Sequence, residues 1–373
     1  MSRALPGLTV IVLNYRNPAA TLRCLASLEA ARYDGALEIL LVENGSGDGS
    51  RAQLEPAAAR CARPARLLVN ERNLGFAGGV NAAWPLVRTE YVCLLNNDAV
   101  VHPDCLRALA TALGERPDLG AVWPYDAPPE WAAALRTPAP AAVAALRNGT
   151  ASLTGAAIWL PLLRDYRECF TASGVCLVTR HSAEVPFPDG YFAYHEDVFY
   201  GWRLRLRGLG SERVSEAVIY HEGSAASGGN EALRPALGFH AEKNRLTNLL
   251  VFYEGGTMAK LAPLVLLDEA RRWAAALAWL AGPRGAGLLV AMLRARWWLA
   301  THVRWVRSLR RATQAARVVA DAAVLPLLSG RLTARSSGVG GALNALSLRY
   351  CRLVGLPVCD APGHARSPMP QPS

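Results

Sequence analysis

No CxxC pair occurs among the eight cysteines, no P-loop is present, and no uncharged apolar run approaches the roughly 18 residues that a membrane span needs. The cysteines follow no metal-type spacing and no secreted disulfide framework, and Cys93 and Cys176 sit in apolar runs as small core residues. Met1 to Pro6 leads straight into a strand-like run, not the longer apolar region of a signal peptide, so the chain reads as cytosolic and reduced. Excess charge is also missing from the first two thirds. Residues 1–257 hold 24 Lys and Arg against 26 Asp and Glu, whereas residues 258–373 hold 16 against 4. That balance argues against nucleic acid as a partner of the N-terminal part and points the C-terminal part toward an anionic surface.

What is present is an alternation of short apolar runs and amphipathic stretches. Leu8–Leu13, Glu38–Val42, Leu67–Val69 and Tyr91–Leu95 read as strands. The stretch between the first two, from Thr21 to Ala31, has helical spacing of Leu22, Leu25 and Leu28. Alternation of this length indicates an α/β fold with a parallel sheet. The strand Tyr91–Leu95 runs into Asn96, Asn97 and Asp98, which places a carboxylate at the sheet end where such folds bind ligands. A carboxylate flanked by amides suits a hard divalent cation holding phosphate oxygens; it also suits a plain turn. Glu43 ends the second strand, where a carboxylate can accept from a base or ribose or simply face solvent. Gly75, Gly78 and Gly79 permit a close approach of backbone to a ligand, or close helix–strand packing.

Four stretches in fixed order are jointly recognisable: Val10–Tyr15, Val42–Ser50, Asn73–Asn81 and Leu94–Asp98. Together they resemble family 2 glycosyltransferases of the GT-A fold, in the rhamnosyltransferase-like branch that builds bacterial cell-surface polysaccharides; the resemblance covers roughly residues 8–255. It implies a mostly parallel, Rossmann-like sheet, a nucleotide-sugar donor with dTDP-rhamnose the first candidate, a divalent metal (Mg²⁺ or Mn²⁺), and inversion at the anomeric carbon. By position, Asn14, Glu43 and Asn44 would line the nucleotide pocket. Asp48, Asn73, Gly75, Gly78 and Asn81 would approach ribose and diphosphate, with Asn97 in the same group, and Asp98 would hold the metal. The metal-binding element here reads Asn-Asn-Asp, without a second acid.

Downstream, Asp189–Arg203 brings aromatics and then Glu196-Asp197 at an apparent helix start, where the helix N-terminus favours carboxylates. The resemblance makes Asp197 the general base, with Glu196 its neighbour and alternative. Tyr194, Trp202 and Arg203 are the acceptor-side candidates. The family's usual Phe-Asp-Glu is here Pro188-Asp189-Gly190, and the acid common two positions past the Asp is Phe199. His221 ends a strand in the family's metal-ligand position; a lone histidine can also be structural. Arg245 could meet a phosphate or face solvent. Residues 126–150, rich in Pro and Ala, read as an irregular insertion.

The tail is expected to be helical. Leu266, Ala270, Trp273, Leu277 and Leu280 share one helix face. Farther on, Arg296, Arg304, Arg307, Arg310 and Arg311 fall opposite Trp298, Trp305, Val306 and Leu309. That pattern suits a helix lying in a membrane interface, or a helical cap with solvated arginines. The expected organisation is a GT-A catalytic domain over 1–257 (nucleotide-sugar half 1–100, acceptor half 170–257), a basic helical region over 258–358, and a disordered tail over 359–373. Expected partners are a nucleotide-sugar donor, a glycan or polyprenyl-linked acceptor and an anionic membrane, with a homodimer possible and no nucleic acid; the expected place is peripheral on the inner face of the plasma membrane. A UDP-sugar transferase and a non-catalytic nucleotide- or glycan-binding relative are the alternatives.

Overall fold

A computed structural model describes residues 4–137, 147–155, 157–161, 170–171, 173–223, 234–278 and 283–360. The apolar runs form strands β1 (Leu8–Asn14), β2 (Leu37–Asn44), β3 (Ala65–Asn70) and β4 (Tyr91–Asn96). Helices α1 (Pro18–Glu29), α2 (Ser50–Arg60) and α3 (Gly75–Ala83) connect them. All four strands run parallel, because each crossover carries the chain back across the sheet before the next strand begins. A turn then leads to β5 (Ala99–Val101), α4 (Cys105–Glu115) and β6 (Leu119–Ala127).

The second half completes the same sheet. β9 (Cys176–Arg180) inserts antiparallel between β4 and β6, and β10 (Gly210–His221) pairs parallel with β6 and antiparallel with β5. The order is β3-β2-β1-β4-β9-β6-β10-β5. A separate hairpin joins β7 (Arg147–Ala151) to β8 (Ala157–Pro161). The stretch 126–150 is therefore not wholly irregular: β6 extends to Ala127, a 3₁₀ turn covers Pro129–Ala134, and β7 begins at Arg147. Residues 138–146 lie outside the described residues.

Alternation along each strand feeds two cores. Val10, Val12, Cys93, Leu95, Cys176 and Val178 pack with α1 and α4 on one face. Ile11, Leu40, Val92, Leu94 and Leu177 pack with α3 and the later helices on the other. The seven described cysteines are free thiols.

Helix α5 (Glu196–Leu206) precedes β10, and α6 (Arg234–Phe252), α7 (Gly255–Ala278), α8 (Pro283–Thr301) and α9 (Val303–Ala315) follow it. A short α10 (Asp321–Val324) and α11 (Gly338–Leu353) close the described chain. No helix among the described residues is long and apolar enough to cross a membrane. The tryptophan side of α9 does not face outward. Val306 is buried and Trp305 and Leu309 pack on the core, leaving Arg304, Arg307 and Arg311 exposed. Arg296 and Arg310 do not share that exposed side: Arg296 pairs with Glu242 and Glu269, and Arg310 donates to the Leu250 carbonyl. The tail boundary also shifts, since Asp360 accepts from Ser329 Oγ and the Gly330 N–H. Residues 361–373 lie outside the described residues.

Candidate active site

Three strand ends meet at one edge of the sheet. The tight turn from β4 to β5 buries Asp98, while β10 delivers His221 opposite Ala99. The Asp98 Oδ1 and His221 Nε2 atoms are 3.3 Å apart, and His221 Nδ1 lies 3.5 Å from Asp126 Oδ2 at the end of β6. Burial pulls the His221 pKa down, but Asp126 and Asp98 more than offset it and raise it to about 9. Between the two carboxylates alone the ring favours its protonated form, and a metal ion at Nε2 would take the place of that proton.

A hard oxygen donor and an imidazole nitrogen aimed at one point fit a divalent cation. No group of three or more His, Cys, Asp or Glu side chains suited to a metal occurs among the described residues. Two protein ligands leave most of a coordination sphere for phosphate oxygens and water. Asp126, on the far side of the imidazole, is placed to orient the ring. It escaped sequence reasoning because it lies at the start of what read as an insertion; only the pairing of β6 with β10 brings it to His221.

The amide and acid residues read as nucleotide contacts are largely occupied with one another. Asn97 Nδ2 donates to Thr21 Oγ1 (2.9 Å), which donates to Asn14 Oδ1 (2.8 Å). Asn14 Nδ2 donates to Ser46 Oγ, and the Ser46 N–H donates to Glu43 Oε1 (2.8 Å). This buried chain fixes the ends of β1, β2 and β4 relative to one another. Asn44 is not free to read a ligand: its amide donates to Asn73 Oδ1 and the Gly75 carbonyl, and its oxygen accepts from Asn70 and the Leu74 N–H. Asp48 is exposed and accepts from the Ser50 N–H and hydroxyl, which hold its pKa below the usual carboxylate value.

The glycine loop serves packing first. Gly75 has φ +72, and a Cβ there would lie 2.3 Å from the Phe192 carbonyl oxygen. A Cβ on Gly79 would meet Leu13 Cδ1 at the same 2.3 Å. Gly78 and Asn73 line a cavity of about 630 Å³ with Arg72, Asp189, Phe192 and His240. Asn81 borders it too, but its side chain is bound to both backbone polar groups of Phe187.

Glu196 and Asp197 open α5. The two residues before them, Tyr194 and His195, hold left-handed φ values of 66 and 61. Non-glycine residues adopt this region at a cost, and here α6 holds it in place. Asn244 Nδ2 donates to the Ala193 (3.1 Å) and Tyr194 (2.7 Å) carbonyls, and Asn248 Nδ2 donates to the His195 carbonyl (3.2 Å). Burial raises the pKa of both acids; for Glu196 the neighbouring Asp197 charge adds to it, while for Asp197 the Val198 N–H, donating at 2.8 Å, pulls back. Burial thus favours holding a proton on the pair, while the Val198 N–H favours charge on the Asp197 side.

The acceptor-side candidates separate. Tyr194 is half exposed beside these acids. Trp202 is not at the surface: it is 2% exposed, stacked on Phe252 at 5.3 Å, because it shares the inward face of α5 with Val198 and Phe199. Arg203 is clamped to the Val185 and Pro186 carbonyls and to Glu184 at 2.7 Å. Arg245 meets neither phosphate nor solvent; it is buried against Glu242 and Glu269 and donates to the Thr154 carbonyl.

Comparison with known proteins gives the family and the fold. Glycosyl transferase family 2 matches residues 9–149. An N-acetylglucosaminyl-diphospho-decaprenol L-rhamnosyltransferase of Mycobacterium tuberculosis is 30% identical over 255 residues, covering 60% of this chain and 79% of the relative. Among solved structures, Staphylococcus aureus TarS 1-349 in complex with UDP-GlcNAc superposes with TM-score 0.52 at 14% identity, covering 83% of this chain and 88% of that one. GalNAc-T7 with UDP, GalNAc and Mn²⁺ gives 0.53 at 13% identity over 70% of this chain and 51% of that one. At such identities the likeness is one of fold.

Proposed function

The chain belongs to glycosyl transferase family 2 and has its GT-A fold, and from that premise we propose that it moves a sugar, with dTDP-rhamnose the first candidate donor, onto a lipid-linked glycan acceptor at the inner face of the membrane. The product belongs to bacterial cell-surface polysaccharide. The reaction is a single displacement with inversion. Asp197, whose carboxylate accepts from the Val198 N–H, takes the proton from the acceptor hydroxyl as that oxygen attacks the anomeric carbon. Asp98 and His221 would hold a Mg²⁺ or Mn²⁺ ion, which supplies positive charge against the departing diphosphate. Tyr194 offers an aromatic surface to the acceptor sugar, and the cavity beside Asn73 and Gly78 gives room for the donor.

The observation that carries the reading is the meeting of Asp98 with His221 at 3.3 Å, from chain segments far apart in sequence. The first test is thermal shift against dTDP, UDP and GDP, each with and without Mn²⁺ or Mg²⁺, because a ligand of the folded state raises Tm by mass action. Stabilisation by dTDP that requires the metal is expected; stabilisation by UDP alone would move the donor to a UDP-sugar. The second is transfer to a polyprenyl-diphosphate-linked acceptor. Asp197→Asn is expected to lower kcat by about 10²–10⁴-fold with dTDP affinity unchanged. Unchanged kcat would remove Asp197 from the mechanism.

A further inference from the structure

Helices α7 and α8 bury one apolar side and carry a second apolar stripe on the outside. A helix on a water-soluble surface turns its charged side to solvent and its apolar side to the core. In α7 the acids point inward: Asp268 is fully buried against Arg271 (2.6 Å) and Arg272 (3.0 Å), and Glu269 meets Arg245 and Arg296. Beyond Lys260, what α7 exposes is apolar, with Leu266 at 69% and Leu277 at 54% exposure and Ala270 between them. On α8, Val290 is 49%, Leu293 53% and Trp297 73% exposed, again on one side at helical spacing.

The two stripes lie on one surface. The helices form an antiparallel pair, with Glu269 of α7 bonded to Arg296 of α8 across the seam. At 100° per residue, the α7 stripe lies about 60–100° forward of Glu269 and the α8 stripe about 60–120° forward of Arg296. Between antiparallel helices, equal forward rotations from the seam turn toward the same side.

We propose that this paired face is a monotopic membrane seat, on which Leu266, Leu277, Leu293 and Trp297 enter the headgroup–acyl boundary of a phospholipid bilayer bearing anionic headgroups. Charge selects the occupant. Asp268 and Glu269 are the only acids in residues 255–315, and both are turned inward. Arg294 on α8 and Arg304, Arg307 and Arg311 on α9 are exposed. A second copy of the same face would add the positive charge of Arg294 with no acid to meet it, whereas lipid phosphates complement it. The exposed tryptophan is the side chain that favours the bilayer–water interface. The sequence pattern pointed to the tryptophan side of α9, which the fold uses for its own core; the outward apolar side belongs to α7 and α8. This seat deepens the lipid-linked acceptor reading but is tested without donor or acceptor, so either can fail alone.

The full-length protein is floated with phosphatidylcholine–phosphatidylglycerol vesicles. The wild type is expected to rise with the vesicles, and Leu266→Glu/Leu293→Glu to lose about tenfold or more in apparent affinity. Val318→Glu, at an equally open position that packs beside α5, serves as the charge control and floats as wild type. Because all three positions are exposed, unchanged circular dichroism and Tm are expected. Trp297→Phe, compared with wild type, should remove a fluorescence component that is quenched by brominated acyl chains. A wild type that stays at the bottom overturns the proposal, as does flotation equal for wild type and the double variant. A wild-type dimer in solution that the double variant converts to monomer reassigns the face to self-association.

Discussion

Asp197 and Glu196 are adjacent carboxylates given different work by their surroundings. The N–H of Val198 favours charge on Asp197, while Glu196 is desolvated beside that charge and sits well above the usual glutamate value of 4.5. Its consequence for stability has a definite sign. Below 4.5 the group is protonated whether the chain is folded or not, and its contribution is fully present. As pH rises, the unfolded chain ionises first and the folded one lags, so stability is lost through neutral pH. Glu196→Gln cannot ionise. Its Tm is expected to exceed that of wild type by a margin that widens from pH 5 to pH 8, as thermal melts at matched ionic strength would record; a constant margin would mean that Glu196 titrates normally in the folded state. His221 shows how much a lone residue conceals. Its role could be read only as ligand or structural until the sheet set it between Asp98 and Asp126.

Among the elements, α6 lines the cavity through His240 and also holds the turn before α5 from behind. Asn244 and Asn248 capture three successive carbonyls, from Ala193 to His195, and so hold two left-handed residues just before the helix that carries the acids. Removing one buried amide that serves two carbonyls costs about 1–3 kcal/mol. It also frees the Tyr194–His195 turn to relax. Asn244→Ala is accordingly expected to lower kcat at least about tenfold, a 1.4 kcal/mol loss at the transition state, with the Kd for nucleotide unchanged; steady-state kinetics beside nucleotide titration separate the two. The strands were legible because buried parallel strands leave continuous apolar runs, and the start of α5 was legible because acids collect at helix N-termini. The faces of the later helices were not. Periodicity locates an apolar side but does not say whether protein or lipid covers it, and on α9 the answer was protein. Trp202 carried a signal in its spacing from Val198, which marks the inward side of α5.

Across the whole molecule, the site belongs to no single segment. Asp98 lies in the first third, Asp126 near the end of β6, and Asp197 and His221 come after the β7–β8 hairpin. The stretches that resemble the family in sequence lie mostly in the first hundred residues. The contacts that hold them, such as Asn81 on Phe187 and Arg245 on Glu242 and Glu269, join distant segments and carry no local pattern.

The antiparallel strand β9 also dictates a timetable. It is the tie between β4 and β6, yet it is synthesised well after both, and β5 finds its partner only when β10 emerges. A nascent chain therefore carries a half-built sheet with open edges, and such edges recruit strands from other chains. Closure must wait for pairings of long sequence separation, which are slow to form. A fragment ending near residue 150, although it contains nearly the whole of the stretch 9–149 that matches the family, is expected to aggregate on expression, and one ending beyond His221 to remain more soluble; sedimentation of the two truncations decides it. Evolution could vary the sugar or the acceptor by changing loops, but it could not divide this enzyme at its midpoint.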